Sequence, residues 1–388
     1  MSREIIFPTE IKFQMMGTSD TTLQSIALRY KLGNSTVEQY TYLDFKDSRD
    51  FSANGSIKTN GESYIPPGTK ISYRYHIETT NGQTFASEER VLFYLDPKYN
   101  WQSYHGNHLT IFYHDISEAK IIELSEGIDG LTPRLREFLG SQSNLKYTGV
   151  VINNSIELLK ASPKISQAAI NTRLYGGFAF NKYGLFVIGG LSENSMAHEM
   201  THLVVSEMLN SPSAKVPAWL NEGIAMYFEP DNLQRGRAAV QAYKSGTLKY
   251  LSQLRTSPGR PAEVRLFYAH SHSAVKYLID VHGNKKFRQL LTSLQNGTDI
   301  GPAMISVYGF SENDLDHQWR ESLGPKISEK FIADIGLLSP SLLILSALLI
   351  SAAITLGRKV MRTTPQDEEN TAQSDEGEHP CENERYHY

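Results

Sequence analysis

The sequence predicts a multidomain chain: an N-terminal all-β immunoglobulin- or fibronectin-like sandwich over 1–98, an α+β domain over 99–333, a single transmembrane helix over 335–357 and an acidic disordered tail over 358–388. Three observations predict it. Apolar residues alternate with polar ones in the first hundred positions. Mixed helix and strand patterns follow, and one of the helices carries His-Glu-x-x-His. Near the C-terminus, 335–357 is 23 residues long and holds no charge.

In the first module, Ile26, Leu28, Tyr30 and Leu32 alternate with Ser25, Ala27, Arg29 and Lys31. Ile71, Tyr73, Tyr75 and Ile77 do the same against Ser72, Arg74, His76 and Glu78. A period of two marks a strand with one face packed and the other wet. Asn81-Gly82 suits a hairpin turn, because both residues tolerate positive φ, and a further strand is expected from about Thr84 to Leu95. Pro66-Pro67-Gly68 marks another turn. No chemistry-bearing side chains converge in this module, so a spacer or docking role is expected for it. Asp96-Pro97 closes it.

The second domain opens near Trp101. A helical stretch over 117–139 precedes an apolar strand at about Tyr147 to Ile152, and a hairpin runs from Gly176 to Ile188. Leu266 to Val281, Lys285 to Leu294 and Glu312 to Leu323 each have helical periodicity, with Gly283, Gly297 and Gly301 as breaks.

At about 1.5 Å per residue, the charge-free run over 335–357 reaches about 34 Å as a helix, enough for a hydrocarbon layer of about 30 Å. Arg358, Lys359 and Arg362 follow it directly and favour a cytoplasmic C-terminal side with the main body extracytoplasmic, the competing reading being a tail-anchored chain whose body faces the cytoplasm. Met1 to Pro8 contains no apolar leader, so a signal peptide is not visible in this chain. From 363 onward, eight acidic residues stand against Arg385 alone, and such a tail has little to bury.

Composition narrows the chemistry. Among 388 residues, a formal net charge of −4 argues against a nucleic-acid binder. Cys381 is the single cysteine, which excludes an intramolecular disulfide and any cysteine-based zinc knuckle. A metal site in this chain must draw on His, Asp and Glu.

The sequence offers such a site. Residues four apart share a helical face, so the imidazoles of His198 and His202 can converge on one ion. Zinc accepts imidazole nitrogen, and catalytic zinc keeps one position open for water. Glu199 is placed to accept a proton from that water. By composition the motif arises by chance about 0.03 times in a chain like this, so by itself it is suggestive only. Nineteen residues separate His202 from Glu222, which lies in Pro217-Ala218-Trp219-Leu220-Asn221-Glu222-Gly223-Ile224-Ala225. Two histidines and a glutamate match the ligand count of a hydrolytic zinc site. Glu229, seven residues on, returns to nearly the same helical face; it is either a partner for a ligand imidazole or a solvated glutamate.

His198-Glu199-x-x-His202 followed by Asn221-Glu222-Gly223-x-Ala225 resembles the gluzincin metallopeptidases, and more narrowly the bacterial peptidase MA-like proteins. The resemblance covers about Trp101 to Leu323 well and the first hundred residues loosely. It implies a zincin-like fold for the second domain and one zinc on His198, His202 and Glu222, with Glu199 as general base and then general acid. It also implies that an extended peptide adds to the strand holding Gly177, Phe178 and Ala179, where Gly177 and Ala179 would let its backbone approach. A later tyrosine would stabilise the oxyanion. Tyr268 is the match, and His270 and His272 are alternative donors or structural histidines.

The expected function is that of a membrane-anchored zinc metallopeptidase acting on peptides or proteins by a zinc-bound water that Glu199 activates. Two alternatives are a catalytically silent zinc-domain receptor and a surface-binding protein that relies on the sandwich.

Overall fold

The computed structural model describes residues 1–46, 48–153, 155–163, 176–231 and 233–324. The expected membrane helix and acidic tail lie outside these residues. Among the described residues, no helix is long and apolar enough to cross a membrane.

The first hundred residues fold as two antiparallel sheets. The strands are β1 (Ser2–Ile6), β2 (Glu10–Thr18), β3 (Leu23–Leu32), β4 (Gln39–Tyr42), β5 (Asp44–Phe45), β6 (Asp50–Lys58), β7 (Thr69–Thr79), β8 (Thr84–Ala86) and β9 (Arg90–Tyr94). One sheet has the order β1-β2-β6-β5; the other has β4-β3-β7-β8, with β9 also on β7. The expected alternation holds along β7 from Ile71 to Tyr75 but not at Ala27 of β3, which is buried between Ile26 and Leu28. Ile26, Leu28, Ile71 and Tyr75 are fully buried, joined by Ile11 and Phe13 from β2. The turn after β7 carries Gly82 at φ 82°. The strand expected from Thr84 to Leu95 is broken in two. Ser87 turns its hydroxyl and its N–H onto the backbone of Tyr75, so a side chain replaces one rung of the ladder between β8 and β9.

A third sheet follows. Its elements, in chain order, are β10 (Gln102–His105), β11 (Leu109–Tyr113), α1 (Glu118–Leu139), β12 (Tyr147–Ile152), α2 (Ser155–Ala161), β13 (Gly177–Phe180), β14 (Leu185–Gly189) and α3 (Glu193–Leu209). The strand order is β10-β11-β12-β14-β13, with β11, β12 and β14 parallel and both outer strands antiparallel to their neighbours. Alternation along the strands sends Ile111, Phe186 and Ile188 to the face covered by α1 and α3. Phe112, Val150 and Val187 point to the other face.

That second face meets α2 and the first module. Phe93 of β9 lies against Phe112 of β11 with ring centroids 4.7 Å apart, and Tyr183 donates its hydroxyl to the carbonyl of Tyr64 at 3.1 Å. The module therefore covers one face of this sheet, and Met1–Gly324 form one compact unit.

The remaining helices are α4 (Ala218–Tyr227), α5 (Leu233–Lys244), α6 (Pro261–Gln295), α7 (Ile300–Tyr308) and α8 (Glu312–Leu323). Gly283 interrupts α6 with φ 80° and ψ 157°, at the expected break. Gly301, expected as a breaker, instead lies in the first turn of α7, where the backbone N–H has no intrahelical partner to lose.

Candidate metal centre

Helix α3 starts on Ser192, whose hydroxyl accepts the N–H of Ser195 at 3.3 Å. Its buried stripe, Met196, Met200, Leu203 and Val204, packs into the core shared with the sheet. The 3.6-residue period then leaves His198 and His202 one above the other on the face opposite α4. Helix α4 is anchored by Trp219, fully buried, whose indole N–H donates to Glu312 of α8 at 2.9 Å. Leu220, Ala225 and Met226 are buried beside it, as the sequence suggests.

Gly223 fixes how closely α4 approaches α6. A Cβ on it would lie 2.4 Å from the carbonyl oxygen of Ser271 and 2.4 Å from Cγ2 of Val275, so no side chain fits there. Glu222, the preceding residue, is thereby held at the depth of the two imidazoles. Sequence reasoning quoted Gly223 as part of the motif without seeing this reason.

The three side chains meet. Nε2 of His198 is 3.3 Å and Nε2 of His202 is 3.5 Å from Oε2 of Glu222, and the two nitrogens are 3.1 Å apart. A tetrahedral ion with bonds of about 2.0–2.1 Å has ligand atoms about 3.3 Å from one another. The measured triangle has the edges of one tetrahedral face. His198 donates its other ring hydrogen, on Nδ1, to Glu229 Oε1 at 2.8 Å, which turns the Nε2 lone pair into the centre. A converging set of lone pairs of this kind fits a dication.

Local electrostatics agree with the geometry. Burial pushes the Glu222 carboxyl up, but the neighbouring His202 and His198 imidazoles more than offset it and hold the group below the carboxylate range. Burial would lower His198, yet its contacts with Glu222 and Glu229 and the charge of Glu199 drive it well above the ordinary imidazole value. Glu199 is 7% exposed, and burial raises its carboxyl despite the two imidazoles and a hydrogen bond from the Ala179 backbone.

Other sequence candidates fall into place unequally. Tyr268 on α6 sits beside His198, with ring centroids 6.3 Å apart. His270 points elsewhere, against Trp319 at 5.9 Å between centroids, and is 1% exposed. His272, one turn beyond Tyr268, is 2% exposed.

Strand β13 is the outer strand of its sheet. The carbonyl of Gly176 points inward, to the N–H of Gly189, so alternation turns the main-chain groups of Gly177 and Ala179 outward. The absent side chain of Gly177 has a packing use beside the expected one. A Cβ there would meet Ile188 Cγ2 at 2.6 Å, Val187 O at 2.7 Å and Glu199 Cγ at 3.1 Å, so the glycine makes room for the Glu199 side chain and β14. Phe178 faces the other side of the sheet, with Phe180.

Residues 144–324 match the model of the Peptidase MA superfamily. No curated protein matches the chain. Among solved structures, an M1 zinc metallopeptidase from Deinococcus radiodurans is similar at 12% identity and a TM-score of 0.38, over 82% of this chain and 91% of that one. A mutant of an M1 zinc metallopeptidase from the same organism, bound to a Tyr-Ser-Ala substrate, overlaps at 12% identity and a TM-score of 0.41, over 81% and 90%. An aminopeptidase N family protein from Idiomarina loihiensis overlaps at 9% identity and a TM-score of 0.29, over 81% and 68%. Overlaps this loose assign none of those proteins' properties to this chain. The family match spans both ligand-bearing helices, α3 and α4, and residues 144–324 are accordingly a zinc metallopeptidase domain of the Peptidase MA superfamily.

Proposed function

We propose that the chain is a membrane-anchored zinc peptidase in which His198, His202 and Glu222 hold one zinc and Glu199 carries the protons of peptide-bond hydrolysis. The donor triangle of 3.1, 3.3 and 3.5 Å supports this reading most directly. Zinc held there supplies a Lewis acid for the scissile carbonyl and lowers the pKa of a water.

The chain's own groups do the rest. Glu199, raised by burial, accepts a proton from the attacking water and returns it to the leaving amine. The Ala179 N–H holds that carboxylate in position. Glu229 keeps His198 in the tautomer that faces the metal. Tyr268, beside His198, is placed to donate its hydroxyl to the developing oxyanion, a contribution of about 10²–10³ in turnover for such a donor. An extended substrate pairs with the outward groups of Gly177 and the outward carbonyl of Ala179 as an added strand. The uncharged run over 335–357 anchors the chain, with the catalytic domain extracytoplasmic and the tail cytoplasmic.

Glu199→Gln tests the assignment. The variant is expected to retain zinc by metal analysis and to lose casein hydrolysis, and full activity in the zinc-loaded variant would overturn the role given to Glu199. Hydrolysis by the native chain is expected to stop with a chelator and return with zinc.

A further inference from the structure

We infer that the enzyme is an endopeptidase, whose cleft runs on past the metal on the acyl side of the scissile bond instead of closing on a free N-terminus. The inference rests on the peptidase reading above and goes on to name the substrate class.

A cavity of about 740 Å³ opens beside His202 and Asn221 and is also lined by Asn181 and Lys182 of the turn after β13. The direction of the substrate follows from Glu199. That residue returns its proton to the leaving amine, so the leaving half of the substrate lies toward Glu199 and Gly177. The acyl half must then extend the other way, past His202 toward Asn181, where the cavity is. Antiparallel pairing with β13 gives the same direction, because β13 runs from Gly177 toward Asn181.

An aminopeptidase needs a carboxylate there to hold the substrate's α-ammonium. Among the described residues lining the cavity, Glu207 is the acidic one, and its carboxylate is already engaged. It accepts the hydroxyl of Tyr147, the hydroxyl of Ser141 at 3.1 Å and the guanidinium of Arg136 at 3.3 Å. The charged side chain added by the β13–β14 turn is Lys182, which repels an ammonium group.

The cavity's volume lies within the roughly 300–1,000 Å³ of a ligand site, with room for several residues. Its outer wall is Asn34, Ser35 and Thr36, from the loop between β3 and β4 of the first module. That module thus contributes directly to the substrate cleft.

The test uses the zinc-loaded full-length chain and a tryptic peptide library, half of it α-N-acetylated, with cleavage sites read by mass spectrometry. Cleavage at internal bonds, at rates that agree within about twofold for free and acetylated peptides, is the expected result. Release of single N-terminal residues, with acetylation costing about tenfold or more, overturns the inference and leaves the peptidase reading standing. No cleavage of either half overturns both. In a second arm, Thr36→Trp on the exposed loop narrows the cavity and is expected to deplete cuts with three or more residues on the acyl side. An unchanged cleavage profile overturns the placement of the acyl side in this cavity.

Discussion

Replacing Gly223 by alanine probes how the fold sets the metal centre without touching a ligand. The new Cβ would sit 2.4 Å from Ser271 O and 2.4 Å from Val275 Cγ2, both on α6. Side-chain carbons in proteins rest at about 3.5–4.0 Å from such neighbours, so α4 must back away from α6 by about 1 Å. Val275 is fully buried and the Ser271 atom is helix backbone, so neither yields easily. Overpacking of this kind costs about 1–3 kcal/mol. The same displacement carries Glu222 about 1 Å out of place, several times the tolerance of about 0.2 Å on a metal–ligand distance. The expected result is a lowered Tm together with a loss in zinc affinity of at least the about 10–100-fold seen when a ligand's support is removed. Chelator-competition titration reads the second quantity and thermal unfolding followed by circular dichroism the first. Unchanged zinc affinity in a folded Gly223→Ala protein would refute the reasoning.

Three further outcomes follow from the geometry. Glu229→Gln removes the carboxylate that accepts the Nδ1 hydrogen of His198, and is expected to weaken zinc binding by about 10–100-fold while leaving the Tm of the metal-free protein nearly unchanged; equal affinity would count against the contact. Tyr268→Phe is expected to lower kcat by about 10²–10³ with KM little changed, and a change confined to KM would argue for a binding role instead. His270 is held neutral by burial, and by the nearby Arg320 and Lys249, with its pKa lowered to about 4. The unfolded chain takes up that proton near the ordinary imidazole value of 6.5 while the folded chain does not, so stability is full above that pH and falls as pH drops toward 4. The loss amounts to about 3 kcal/mol, and denaturant melts between pH 7 and 4.5 should show a shallower decline for His270→Phe than for the native chain.

Local order was readable where one element carries its own signal. The alternation around Ile26 and Ile71 marked β3 and β7, and a spacing of four put His198 and His202 on one face of α3. The link to Glu222 was readable because Pro217, Trp219 and Leu220 announce a second buried helix. Features made by two elements together were not. Gly223 reads as a motif letter until α6 lies against it, and Gly177 until Glu199 does. Glu229, expected on the helical face of Glu222, lies just past the end of α4 at Tyr227 and still reaches His198, which no helical spacing could announce. Asn34 to Thr36 carry no motif, and their place at the cleft depends on a module packing across the catalytic sheet. Strands β4 and β5 are short, with partly exposed residues, and leave little period to detect.

X-ray absorption at the zinc edge of the zinc-loaded chain tests the central claim most directly. Two imidazole nitrogens and carboxylate or water oxygens at about 2.0–2.2 Å are predicted, with the imidazole signal reduced in His202→Ala. A spectrum without imidazole scattering, or one unchanged by that substitution, would contradict the assignment of the metal to these helices.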